Sequence, residues 1–164
     1  MNGEWRTSQV LALCRGMREE QNFALLPILA DALEDAGCDD ANLLIRLRDP
    51  RAFGDYAASV LAVAEVLLHR EEYAHAVDRL GALSAEIGGP QRGYDNPPGE
   101  QLGVGGMINA GHEYLKTGEC VRMGCNEHYS DFLWEETFWQ NYQTLTGAVI
   151  PEGTERDGFF SCAC

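Results

Sequence analysis

Four of the six cysteines fall in the last 45 residues of this 164-residue chain, as two close pairs, Cys120-x4-Cys125 and Cys162-x-Cys164. His128 follows Cys125 by three residues, and His112 precedes Cys120 by eight. Thiolates and imidazoles are the ligands tetrahedral zinc prefers, and two knuckles separated by a helix can supply four of them. Cys120, Cys125, Cys162 and Cys164, with His128 and His112 as alternates, are therefore the candidate metal ligands, and a structural zinc the candidate cofactor. Such an ion would staple the end of the chain to the loop before the last helix, with Gly118 and Gly124 letting the backbone turn around it. The spacing is not the common two-residue knuckle, and one residue between Cys162 and Cys164 is short for two ligands on one ion. Disulfides and plain thiols are the competing readings of the same atoms.

Other constellations are weaker. His112-Glu113 lacks the second histidine of an HExxH helix, no CxxC occurs, and no GxSxG elbow is present. Gly103-x-Gly105-Gly106 precedes a short helix expected near 107–117, but no lysine follows as in a phosphate-binding loop, so it reads as a turn. His69 and His75 are six apart and do not share a helical face. Asp131, Glu135 and Glu136 beside the aromatic segment read as a solvated face. Trp134 and Trp139, five apart, cannot share one face centre, so one of them is a candidate partner contact. No catalytic residue is assigned.

Residues 1–88 read as five amphipathic helices. Thr7 or Ser8 caps the first, whose stripe is Val10, Leu11, Leu13, Cys14 and Met17. The second spans roughly 23–36, with Pro27 in its first turn and Gly37 just past its end. Asp39 or Asp40 caps a third, 41–48. Asp49-Pro50 signals the start of a fourth, with a stripe of Phe53, Tyr56, Ala57, Val60, Leu61, Ala64, Leu67 and Leu68. A break near Arg70-Glu71 leads to the fifth, through Tyr73, Ala76, Val77, Leu80, Leu83 and Ile87. Ten of the eighteen glycines and three of the six prolines lie between 88 and 124, which predicts a long irregular region. A last helix, 130–145, carries Phe132, Leu133, Trp134, Phe138, Trp139, Tyr142 and Leu145, and Gly147 ends it. Ala148-Val149-Ile150 and Phe159-Phe160 form two short strands or simply pack. The expected fold is mainly α: a helical bundle over 1–88, then a glycine-rich irregular region, an aromatic helix and a cysteine-bearing tail over 89–164, packed as one unit.

The stretch FALLPILADALEDAGCDDANLLIRLR, Phe23 to Arg48, resembles a recurrent helical segment of uncharacterised planctomycete-type bacterial proteins. The shared positions are Leu26 through Leu33, Asp35 through Cys38, Leu43-Leu44 and Leu47-Arg48. The resemblance covers about a sixth of the chain and implies a two-helix unit turning at Gly37-Cys38. It carries no activity and transfers no site residue.

Charge bounds the partners. Twenty-six acids oppose twelve bases, for a formal charge of -14, and the excess is even: residues 1–88 hold 15 acids and 8 bases, residues 89–164 hold 11 and 4. This acidity disfavours unaided binding to nucleic acid or to an anionic membrane. The N-terminal residues carry acids and no uninterrupted apolar core, unlike a signal peptide. The expectation is an acidic, soluble, cytoplasmic, non-catalytic protein-interaction or accessory module whose partner is another, basic protein. Two alternatives stand beside it. One is a small metal- or thiol-dependent enzyme built on the C-terminal cysteines. The other is an acidic mimic or immunity-type protein that covers a basic surface.

Overall fold

The computed structural model of the chain describes residues 3–49, 51, 54–87, 103–117, 133 and 135–154. Among the described residues the fold is mainly α: a 3-10 turn, Gly3–Trp5, and the helices α1 (Ser8–Glu20), α2 (Leu26–Asp35), α3 (Ala41–Arg48), α4 (Tyr56–Leu67), α5 (Arg70–Ile87), α6 (Val104–Thr117) and α7 (Glu136–Thr146). None of these helices is long and apolar enough to cross a membrane. The chain forms two compact units, Met1–Tyr73 with Leu145–Ala148, and Ala74–Thr144 with Val149–Cys164.

The first unit is a four-helix assembly in which α1 packs on α2 and α4, and α3 packs on α2 and α4. The Thr7 hydroxyl accepts from the Val10 amide, so Thr7 is the cap of α1. Val10, Cys14 and Met17, spaced i, i+4, i+7, are its buried stripe. Gln21, at φ 51, ends the helix in the left-handed region, and its N–H donates to the Met17 carbonyl. The second helix starts at Leu26, three residues later than expected. Asn22 accepts from the Ala24 amide and holds a turn there, and Pro27 then sets the first helical turn.

The corner after α2 follows from two residue types. Gly37 adopts φ 89, the Gly37 N–H donates to Glu34 and the Cys38 N–H donates back to Leu33. That is a Schellman motif, and buried Cys38 supplies its apolar closure. The Asp40 carboxylate then accepts from the Leu43 amide at 3.0 Å and starts α3, which buries Leu43, Leu44 and Leu47.

The helix expected from Asp49-Pro50 begins later. The Asp49 carboxylate accepts from the Arg51 amide, and the amides of Gly54 and Asp55 both reach the Arg51 carbonyl. The cap of α4 is Asp55, whose carboxylate accepts from the amides of Ala57 and Ala58. This helix is buried on more than one stripe. Ala57, Val60 and Ala64 are covered as expected, but so are Ser59, Ala62, Val63 and Val66, while Leu61, Leu67 and Leu68 are half-buried. Its small side chains allow neighbours on several sides. Arg6 closes its C-terminal end, with Nε donating to Val66 O at 3.0 Å and Nη2 to Leu67 O at 2.7 Å. Trp5, Leu26, Leu29, Leu33 and both buried cysteines share the core with these helices.

The short segment Leu145–Ala148 completes this unit. Gln21 Nε2 donates to the Thr146 carbonyl, and the Thr146 hydroxyl accepts from the Ala148 amide. Gly147 ends α7 at φ +67, and a Cβ there would overlap the Arg18 side chain. Arg18 is half-buried, and burial lowers its pKa against the opposing pull of Glu72.

In the second unit, the part of α5 from Ala74 onward buries Ala76, Leu80, Leu83 and Ser84. The break before α5 falls at Leu68-His69, two residues before the expected point. Within the glycine-rich region α6 begins at Val104, three residues before the expected helix, so Gly105 and Gly106 are helical; residues 88–102 and 118–124 lie outside the described residues. The last helix is shorter than 130–145, because α7 begins at Glu136, where the amides of Phe138 and Trp139 reach the Glu135 carbonyl. Trp139 donates its indole N–H to the Leu133 carbonyl at 2.7 Å. No strand occurs at Ala148-Val149-Ile150, and Val149 is 84% exposed. Phe159-Phe160 lies outside the described residues.

Candidate functional site

Cys120, Cys125, His128, Cys162 and Cys164 lie outside the described residues, as do Trp134 and Asp131. Of the candidate metal ligands only His112 is described. It sits on α6, half-buried. Burial lowers its pKa, Glu113 opposes that and Lys116 reinforces it. A neutral imidazole is the form that binds metals. Among the described residues no group of three His, Cys, Asp or Glu side chains converges on a point. His69 and His75 are exposed, and so are Glu135 and Glu136.

The two remaining thiols are sealed. Cys14 is fully buried, and burial pushes its pKa up to about 12, against the attraction of Arg6 and Arg15. Burial also raises Cys38, partly offset by a backbone hydrogen bond at Asp40. A thiol held protonated in an apolar core is a poor nucleophile and a poor ligand, so both act as small core side chains.

The described aromatic residues of α6 and α7 are core. Phe138 and Trp139 meet edge-on at 4.9 Å between centroids, Trp139 and Tyr142 at 5.3 Å, and Tyr114 lies 6.1 Å from Trp139. Such pairs add specificity to their large buried area. Gly111 makes room for them: a Cβ there would lie 2.8 Å from Tyr142 Cε2 and 2.9 Å from Phe138 Cζ. The Gly103-x-Gly105-Gly106 stretch is the helix start itself, with Gly103 O accepting from the Met107 amide.

A different surface is assembled by α2 and α3. Arg48 Nη2 donates to Asp31 Oδ1 at 2.8 Å and to Glu34 Oε2 at 2.7 Å, bridging the two helices. These bonds raise the Arg48 pKa, with Asp31 the larger contributor. Arg46 pairs with Glu65 at 2.7 Å, and Arg51 pairs with Asp49 at 2.8 Å. Ile28 on α2 is 52% exposed and Ile45 on α3 is 65% exposed. Neither isoleucine belongs to a candidate site read from the sequence. The signal was their position off the leucine stripes, with Ile28 between Leu26 and Leu29 and Ile45 between Leu44 and Leu47. An open depression of about 380 Å³ beside Ile45 is lined by that residue, Arg48, Asp49 and Arg51. Comparison with known proteins gives no relative: no family model, no curated protein and no solved structure matches the chain.

Proposed function

We propose that the chain is a non-catalytic protein-interaction or accessory module, acting in the cytoplasm on a partner with a basic surface. The observation that carries this reading is the pair of solvent-facing isoleucines, Ile28 and Ile45, on a molecule of charge -14. Exposed aliphatic side chains rimmed by charge suit a partner surface, and net negative charge steers basic partners toward it. The recurrent segment that Phe23–Arg48 resembles is in keeping with a two-helix unit of this kind.

A structural zinc held by Cys120, Cys125, Cys162 and Cys164, with His128 or His112 as alternates, belongs to the same proposal and rests on ligand type and spacing. Its role would be to fix the tail, not to turn over substrate. Two measurements test the whole. Reciprocal co-purification at low and high salt is expected to return a basic protein whose capture weakens with salt. Elemental analysis of protein purified under reducing conditions is expected to find about one zinc per chain, as a closed four-ligand site requires. That zinc should be lost in Cys162→Ser/Cys164→Ser. A metal-dependent turnover abolished by Cys120→Ser, with folding intact, would overturn the non-catalytic reading.

A further inference from the structure

We propose that the outer face of α2 and α3, centred on Ile28 and Ile45, docks a basic amphipathic helical segment of a partner protein. The inference rests on the interaction reading above and gives it a surface and a ligand chemistry. On α2, Ile28, Asp31 and Asp35 recur at i, i+3, i+7, so they share one side of the helix, and all three are exposed while Leu26, Leu29, Ala30 and Leu33 are buried. On α3, Ile45 and Arg48 are three apart and exposed, while Leu43, Leu44 and Leu47 are buried. The Arg48–Asp31 bond joins the two rows. Each isoleucine therefore stands one turn from a member of the same ion cluster, which links the two rows.

A basic amphipathic helix carries apolar side chains one turn apart on one face, and that face can cover the two isoleucines while its charged flanks meet the acids. Charge decides the sign of the rest. Arg48 is engaged by Asp31 and Glu34, and Arg51 by Asp49, which leaves Asp35 and Asp39 exposed and uncompensated by these arginines. Exposed ion pairs are held weakly, so an incoming lysine or arginine can displace Arg48 from Asp31 and Glu34. A second copy of the chain, or an acidic segment, would approach against a charge of -14.

The test uses the full chain and two synthetic peptides, an amphipathic helix of leucine and lysine and a scrambled peptide of the same composition. Titration by fluorescence anisotropy is expected to favour the ordered peptide about tenfold or more, from burial of the two isoleucines. Ile28→Ser/Ile45→Ser is expected to remove that preference, with the circular dichroism spectrum and urea midpoint near those of the parent. Val149→Ser, at an exposed aliphatic residue elsewhere, should leave it intact. Asp31→Asn/Asp35→Asn should weaken the salt dependence. Equal binding of the two peptides, or equal loss in Val149→Ser, overturns the docking face. So does a concentration-dependent rise in mass that the double serine variant abolishes, since a second copy would then be the occupant. Co-purification of the natural partner by the double variant as well as by the parent would reject this face and leave the interaction reading standing.

Discussion

At the scale of single residues, the thiol of Cys14 ties stability to alkali. Its unfolded value lies near 9 and its folded value near 12. Above pH 9 the unfolded chain releases a proton that the native chain keeps, so stability is fully present below 9 and falls as pH climbs toward 12. Urea midpoints measured across that range should decline, and Cys14→Ala should show a shallower decline from a lower starting point. Alkylating reagents should spare Cys14 in the native protein and modify it in urea. His112 works at the other end. Burial holds its folded pKa below the unfolded value of 6.5, so its contribution is present above 6.5 and is lost as pH falls below it. His112→Gln should flatten that part of the acid limb.

Among the described residues, two glycines sit in the tightest packing. Gly147→Ala meets both a positive φ and the Arg18 side chain, and Gly111→Ala drives a methyl into Phe138 and Tyr142. Each should cost about 1–3 kcal/mol in chemical denaturation. A cheaper Gly111→Ala would mean that the aromatic cluster can shift.

At the scale of elements, caps decide where helices begin. Asp55→Ala should destabilise by about 1 kcal/mol, because two amides at the start of α4 lose their acceptor. Asp49→Ala, by contrast, frees the Arg51 amide and breaks an exposed ion pair with the Arg51 side chain, and should cost less. This contrast also explains what the sequence could show. The hairpin of α2 and α3 was legible because Gly37 and Asp40 each have one local role. Asp49-Pro50 carried an equally good start signal, but Asp55 stands six residues on with a longer apolar run behind it. The start of α6 was hidden because glycine is the weakest of the ordinary helix formers, and its three helical glycines masked the pattern around Met107, Ile108 and Tyr114. The docking face was legible only in reverse, as two isoleucines that do not fit their helices' leucine stripes. What makes them a site is the Arg48 bridge, a long-range contact that helical spacing does not contain.

At the scale of the whole molecule, the charge of -14 is spread over both halves of the sequence. Like charges at that density repel, and salt screens them. Added salt at neutral pH should therefore raise the thermal midpoint modestly while it weakens any basic partner, so stability and binding should move in opposite directions along one salt titration. A parallel loss of both would remove electrostatic steering from the account.

The first unit also has a bearing on synthesis. Gln21 and Arg18 wait for Thr146 and Gly147, residues that reach them only after more than a hundred others have been made. A ribosome releases α1 through α4 early, and those helices can pack as they emerge. The last piece of their unit arrives only after α5 and α6 and nearly all of α7 have been made. A nascent chain stalled or cleaved between the two segments would therefore hold a bundle with its seam open, and protease sensitivity at the end of α1 would report whether the rest of the chain had been made.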